Sequence, residues 1–290
     1  RASWDADELS LYGRFDFILA KDGTPKILEF NADTPTSLLE ASVIQWQWKE
    51  DVFPECDQFN GIHEGLVQSW KDIFPKKGEI HFAGALENNE DTGTLQYLAS
   101  TAMEAGFSTR VLDMQALDLQ NGRFFDPAGE LVNRCFKLYP WEWMVDESPD
   151  GCLAEMEWLE PIWKLVMSNK AILATLYELF PDSPYVLPCY LSRPRSGLFC
   201  KKPVFSREGH NVSVVDIRDW EEYVRIAETE GDYNTGAYVY QEYVEPTAYS
   251  GRYPVIGSWI IGGEAAGIGI RENRMEVTDN LSEFVPHIIG

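Results

Sequence analysis

The sequence predicts an α+β fold, and three stretches carry that prediction. Residues 14 to 31 alternate in polarity on either side of Asp22-Gly23, a strong hairpin signal. Glu79 to Asp113 reads as strand, helix, strand. From Gly197 to Arg271 most of the chain is strand-like. With 290 residues, 44% of them hydrophobic, the chain can bury a sizeable core in one large domain or two smaller ones.

In the hairpin, Phe15, Phe17, Leu19, Leu28 and Phe30 are expected on one face, with Arg14, Asp16, Glu29 and Asn31 on the other. A loop centred on Asp22-Gly23 pairs Arg14 with Asn31 and Asp16 with Glu29, so two carboxylates meet across strands. Like charges so placed are destabilising unless something positive lies between them, and oxygen ligands at this spacing suit Mg²⁺ bridging a substrate phosphate. An amphipathic hairpin with a solvated polar face is the other reading the pattern allows. Asn31-Ala-Asp-Thr-Pro-Thr-Ser37 then leaves the strand for a helix in which Ser37 and Glu40 form a capping box ahead of an apolar run through Trp46. Backbone amides there could hold an anion.

Further along, Glu79–Ala85 is expected as a strand, Asp91–Ala105 as a helix closed by Gly106, and Phe107–Asp113 as a second strand, a βαβ unit. Asp126-Pro-Ala-Gly129 marks a turn between short strands. Arg134–Trp143 reads as extended, with Trp141 and Trp143 on one face. A helix is expected from Ser168-Asn169 to Phe180, stopped by Pro181. Strands follow at Gly197–Pro203, Gly236–Val244, Tyr253–Ile261 and Glu264–Arg271, with a helix near Arg218–Glu230.

Composition excludes several classes. No run approaches the roughly 18 apolar residues of a membrane span, and Arg1-Ala-Ser-Trp-Asp has no signal-peptide layout. Cys56, Cys135, Cys152, Cys189 and Cys200 are odd in number and scattered, with neither a disulfide framework nor zinc spacing, so a cytoplasmic setting is expected. The formal charge of −23 opposes nucleic-acid binding and would attract cationic amines, although acidity also serves solubility. His63, His81, His210 and His287 form no triad spacing. Ten tryptophans with paired carboxylates prompt a carbohydrate-binding or glycosidase reading, but core aromatics explain them more simply. The missing initial methionine and the apolar Ile288-Ile289-Gly290 end lead us to expect a fragment.

Gly13-Arg-Phe-Asp-Phe followed by Lys26-Ile-Leu-Glu-Phe-Asn-Ala-Asp-Thr-Pro-Thr resembles the opening motif of the glutathionylspermidine synthetase family, which includes trypanothione synthetase. The resemblance runs through nearly all of the chain. It implies a circularly permuted ATP-grasp fold of the glutathione-synthetase type, with mixed sheets, flanking helices and a phosphate-covering lid. It assigns Asp16, Glu29 and Asn31 to Mg²⁺, and places Arg14 beside the acyl substrate. There is no P-loop and no dinucleotide fingerprint. In their place, Ser168-Asn-Lys-Ala-Ile-Leu173 and Phe199-Cys-Lys-Lys-Pro-Val204 match the family segments that supply phosphate lysines, Lys170 and Lys202; alone, each is an ordinary lysine.

The resemblance also makes Pro203–Asn211 a flexible loop over phosphates, retaining Arg207, Gly209 and Asn211. It sets Gln241, Glu242 and the Val244 backbone beside adenine, where an ordinary strand end is an equal reading. Arg271 matches an arginine facing the transferring phosphate. Thr34, Thr36, Glu90 and Asp91 fall on the acyl-substrate side, while Leu138 and Val255 depart from a family threonine and glutamine. The implied activity is ATP-dependent joining of a small carboxylate or peptide to an amine, with ATP and Mg²⁺ as cofactors; a regulatory nucleotide-binding protein without ligase activity is the alternative. Residues 1–165 are expected to form the metal- and acyl-binding part, and residues 166–290 the nucleotide and lid part.

Overall fold

A short α1 (Ala2–Asp5) leads into β1 (Tyr12–Leu19), which turns back through Asp22-Gly23 into β2 (Pro25–Asn31). Gly23 takes φ +83°, the conformation the turn needs and that glycine adopts without strain. In this computed structural model, residues 1–207, 209–218, 223–231, 233, 236–274 and 282–290 are described. Arg14 pairs with Asn31 and Asp16 with Glu29, as the pattern predicts. Beyond that point the register slips, so that Phe17 faces Ile27 and Leu28 is the bulged residue. Leu28 therefore lines the cavity beside Glu29 instead of joining the apolar face. That face is closed by Phe15 and Phe30, stacked at 4.0 Å.

A wide π-type turn over Glu40–Ile44 precedes α2 (Gln45–Val52) and α3 (Ile62–Ile73). The Ser37–Glu40 capping box does not form: Ser37 adopts φ +64° and makes no side-chain cap. Ile62, Leu66 and Trp70 repeat on the buried face of α3, and the Trp70 indole donates to Thr101 Oγ1 at 2.9 Å. The βαβ unit consists of β3 (Glu79–Gly84), α4 (Asn89–Glu104) and β4 (Ser108–Asp113), with β3 and β4 parallel. Helix α4 opens earlier than expected because the Asn88 side chain accepts from Glu90 N. Gly106, at φ +96°, ends it as foreseen.

Three short strands, β5 (Asp118–Gln120), β6 (Arg123–Phe125) and β7 (Leu131–Val132), form a small sheet around the Asp126–Gly129 turn. After β8 (Arg134–Leu138), the expected extended run is instead helix α5 (Trp141–Glu147). Its first amide, Trp141 N, is taken by Asp33 Oδ2 from the distant hairpin exit, a cap invisible to local pattern. Trp141 is buried and Trp143 exposed, so the two do not share a face. β9 (Glu157–Leu159) completes a four-stranded sheet ordered β4-β3-β8-β9.

The single helix expected from Ser168 is two, α6 (Lys164–Ser168) and α7 (Ile172–Leu179). Lys170 sits in the break, where its backbone N donates to Val204 O. Then follow β10 (Cys189–Tyr190), β11 (Gly197–Pro203), β12 (Ser213–Ile217), β13 (Tyr223–Glu228) and β14 (Tyr238–Glu242), one antiparallel sheet ordered β10-β14-β11-β12-β13. Where a helix was expected near Arg218–Glu230, residues 223–228 are the edge strand of this sheet, and 219–222 lie outside the described residues. Pairing with β12 overrides a weak helical pattern. Last come β15 (Tyr253–Ile261), β16 (Glu264–Asn273) and β17 (Glu283–Val285), which join the first hairpin in the order β17-β16-β15-β1-β2.

The main core lies between that sheet, α3, α4 and the parallel sheet, around Tyr12, Trp70, Phe82, Phe136 and Trp259. Burying an aromatic or aliphatic side chain of this kind contributes roughly 1.5–3 kcal/mol. The architecture is thus mixed, with parallel and antiparallel sheets flanked by helices. Among the described residues no helix is long and apolar enough to cross a membrane. All five cysteines are free.

Candidate functional site

One cavity of about 560 Å³ gathers side chains from both large antiparallel sheets. Its floor is the polar face of the first hairpin. Arg14 grips Asp16 two residues along the same strand, Nε to Oδ1 at 2.6 Å and Nη2 to Oδ2 at 2.9 Å, and its Nη1 donates to Thr36 O. Arg271, two strands away, donates to the same Oδ2 at 2.7 Å. Asn31 Nδ2 bridges Asp16 Oδ2 and Glu29 Oε1, each at 3.2 Å. The expected clash between the two carboxylates is therefore relieved by an amide and by flanking cations.

Electrostatics follow from this packing. Burial opposes charge on Arg14, but Asp16 more than compensates and holds its pKa above the ordinary value. Burial and then the neighbouring Arg14 push Arg271 below its ordinary value, with Asp16 acting in the other direction. Burial raises Glu29, but Lys170 and then Lys202 outweigh it and bring the carboxyl down to about 2. Glu29 is thus ionised wherever the protein is folded near neutrality.

The two lysines arrive from different elements. Lys170, in the α6–α7 break, reaches Glu29 Oε2 at 3.0 Å and donates to Ser206 O at 2.6 Å. Lys202, on β11, donates to Gln241 Oε1 at 2.7 Å and to Leu28 O at 3.2 Å. Strand alternation sends its neighbour Lys201 the other way, over the Tyr238 ring. The Gln241 amide is committed to Lys202 and to the Ile27 carbonyl, at 2.8 Å, which differs from the expected base contact. Glu242 and Val244 line the cavity beside the apolar Ile18, Leu28 and Leu187.

Arg207 and Gly209 also line it, Gly209 at φ +69°. Arg207 donates to Thr34 Oγ1 and to Glu142 Oε1, both at 2.5 Å, tying the 203–211 loop to the hairpin exit and to α5. Asn211 Nδ2 instead donates to Gly231 O, within the loop's own neighbourhood. Thr34, Thr36 and Glu90 line the cavity together with Ser37 and Glu40; Asp91, next to Glu90 in the first turn of α4, is not among the lining residues. Val255 and Phe284 flank Arg271 in register across the sheet and make one wall apolar.

Sequence reasoning missed the frame behind these groups. Lys137 is fully buried on β8 and donates to Asp33 Oδ1 at 2.6 Å, while Lys164 donates to Tyr12 O and Ala32 O. Glu160 accepts from the Leu11 and Tyr12 amides and from Ser10. These buried charges fix both ends of the hairpin, and nothing local marks them. Gly257, opposite Asp16 on β15, was a readable signal: a Cβ there would lie 2.7 Å from Arg14 Cδ, so only glycine leaves the guanidinium its seat.

Asp16, Glu29 and Asn31 offer only oxygen donors once the Asn31 amide is turned over, a set that fits a hard dication such as Mg²⁺. Among the described residues no group of three or more His, Cys, Asp or Glu could hold a metal ion, so this set rests on two carboxylates and one amide. Around Asp16 and Glu29 stand four cations, Arg14, Lys170, Lys202 and Arg271, and with Arg207 and the carboxylates of Glu40, Glu90 and Glu242 the lining is balanced in charge inside a chain of net charge −23.

A cation-lined cavity shared between two antiparallel sheets, with no P-loop, is built on the ATP-grasp fold. A protein of Methylobacillus flagellatus provisionally named gamma-glutamylcysteine synthetase has the same fold, with a TM-score of 0.63 at 10% identity, covering 99% of this chain and 82% of its own. The family model described as glutathionylspermidine synthase preATP-grasp matches residues 1–290, and the chain belongs to that family of ATP-grasp-type ligases. It is 39% identical over 300 residues to a Haemophilus influenzae protein provisionally named an acid–amine ligase, covering 98% of this chain and 76% of the relative. It is 28% identical over 318 residues to trypanothione synthetase of Crithidia fasciculata, covering 98% of this chain and 48% of that enzyme.

Proposed function

We propose that the chain activates a small carboxylate or peptide with ATP as an acyl phosphate and joins it to an amine, releasing ADP and phosphate. The observation that carries this reading is a cluster of cations on the cavity floor of a strongly acidic protein: Arg14, Arg271 and Lys170 contact Asp16 or Glu29, and Lys202 acts on Glu29 through space. Such a floor attracts polyphosphate, whereas the rest of the surface repels it.

In this reading residues 166–290 supply most of the nucleotide side. Ile18, Leu28, Leu187 and Val244 enclose the base, and Lys170 and Lys202 hold the phosphates. Arg207 and Gly209 cover them. Residues 1–165 supply the acyl side, with Arg14 steering the substrate carboxylate toward the γ-phosphate and Thr34, Thr36 and Glu90 binding the remainder. Arg271 faces the transferring phosphoryl group and stabilises its developing charge. Mg²⁺, held by Asp16, Glu29 and Asn31, would neutralise phosphate charge when bound. The carboxylate oxygen attacks phosphorus and ADP leaves; the amine nitrogen then attacks the acyl carbon, phosphate departs, and one nitrogen proton is lost. The carboxylates of Glu40 and Glu90 at the cavity wall favour an amine over a neutral acceptor.

Thermal melting with Mg²⁺ and a non-hydrolysable ATP analogue tests the first half of this proposal. At about 100 times its dissociation constant the analogue should stabilise the native chain by roughly 2.7 kcal/mol, and Glu29→Ala should lose that shift. ADP release is then screened over peptide and amine pairs, glutathione with spermidine among them. Binding without ADP release for any pair would favour a regulatory nucleotide-binding role.

A further inference from the structure

We infer that Gln241 is a positioning residue that acts through Lys202, and that the bulge at Leu28 exists to seat this pair. The inference rests on the nucleotide reading above and deepens it. β2 is the edge strand of its sheet, so in a regular ladder only alternate carbonyls would face away from β1, and the slip after Asp16 lets two successive ones do so. The Leu28 carbonyl accepts from Lys202 Nζ at 3.2 Å, and the adjacent Ile27 carbonyl accepts from Gln241 Nε2 at 2.8 Å.

Gln241 Oε1 closes the triangle by accepting from Lys202 at 2.7 Å. The β11–β14 register pairs Cys200 with Gln241 and Lys202 with Val239, so Gln241 and Lys202 are diagonal neighbours on one face. Both are buried, at 2% and 7% exposure, so neither rotamer is free to wander. Two of the three ammonium N–H groups are thereby spent, and the third is left for an anion in the cavity. The amide oxygen that would have read an adenine amino group is the atom bound to Lys202. The triangle also ties the nucleotide sheet to the strand that carries Glu29.

The test measures dissociation constants of a non-hydrolysable ATP analogue and of adenosine for the native chain, Q241M, Q241E, K202M and the double variants. Loss of a charge-assisted contact in Q241M should weaken the triphosphate roughly tenfold or more and leave adenosine unchanged. Q241E keeps an acceptor for Lys202 and should recover most of the loss. In the K202M background Q241M should weaken the triphosphate no further. Adenosine and triphosphate weakening in parallel, or additive losses in the double variants, would overturn the inference and return Gln241 to base recognition. If Q241M does not fold, Q241A with and without K202M carries the same comparison. A native chain that binds neither ligand refutes the nucleotide reading itself, and the inference with it.

Discussion

Replacing Gly257 by alanine should disable the site while leaving the fold in place. Gly257 lies opposite Asp16 on β15, and an added Cβ would stand 2.7 Å from Arg14 Cδ and 3.2 Å from Nε. Ordinary contact begins near 3.4 Å, so the arginine must retreat by about 0.7 Å. Its side chain is 5% exposed and pinned through Asp16 and the Thr36 carbonyl, so the retreat stretches the bonds of 2.6 and 2.9 Å to Asp16. A hydrogen bond to a charged group contributes about 1.5–3 kcal/mol, so losing one of the pair should lower turnover roughly ten- to hundredfold. Arg271 still neutralises Asp16, so the stability cost should stay near about 1–2 kcal/mol. The assay is ADP release with whichever carboxylate and amine support native turnover, alongside ligand-free melting. Turnover within twofold of native would refute the argument that Gly257 makes room for a working Arg14.

Two further outcomes follow from the same geometry. Gly93 lies inside α4 with nothing within 4 Å of an added Cβ, so Gly93→Ala should stabilise by about 0.5–1 kcal/mol in chemical denaturation and leave nucleotide binding unchanged. Glu29 has its folded carboxyl held at about 2 by Lys170 and Lys202, below its ordinary 4.5, so its contribution is complete above pH 4.5 and fades as pH falls toward 2. Glu29→Gln should cost about 2–3 kcal/mol at pH 7 and flatten the stability–pH curve between those limits; an unchanged acid limb would count against the Lys170–Glu29 pair.

The hairpin was legible because its register follows from turn position and alternation alone, which placed Asp16, Glu29, Arg14 and Asn31 on one face. The bulge at Leu28 was not, because Lys202 and Gln241 of another sheet are what engage the backbone it frees. The family segments pointed to Lys202 and Lys170, but not to the place of Lys170 in a helix break, which is fixed by a bond to Val204. Helix α5 read as strand because the group capping it, Asp33, lies more than a hundred residues earlier. The edge strand over 223–228 was taken for helix because its side chains are all exposed and carry no burial pattern.

The sheet order β17-β16-β15-β1-β2 has a consequence for synthesis. Arg14 finds its β15 neighbour at Trp259, so the first hairpin emerges from the ribosome long before the strand that completes its sheet. Until then one edge of β1 stays open and Tyr12 lacks the Trp259 ring it stacks against, the kind of intermediate that aggregates or recruits chaperones. Asp16 likewise waits for Arg271, so the cavity floor is not assembled on a nascent chain before β16 has been made.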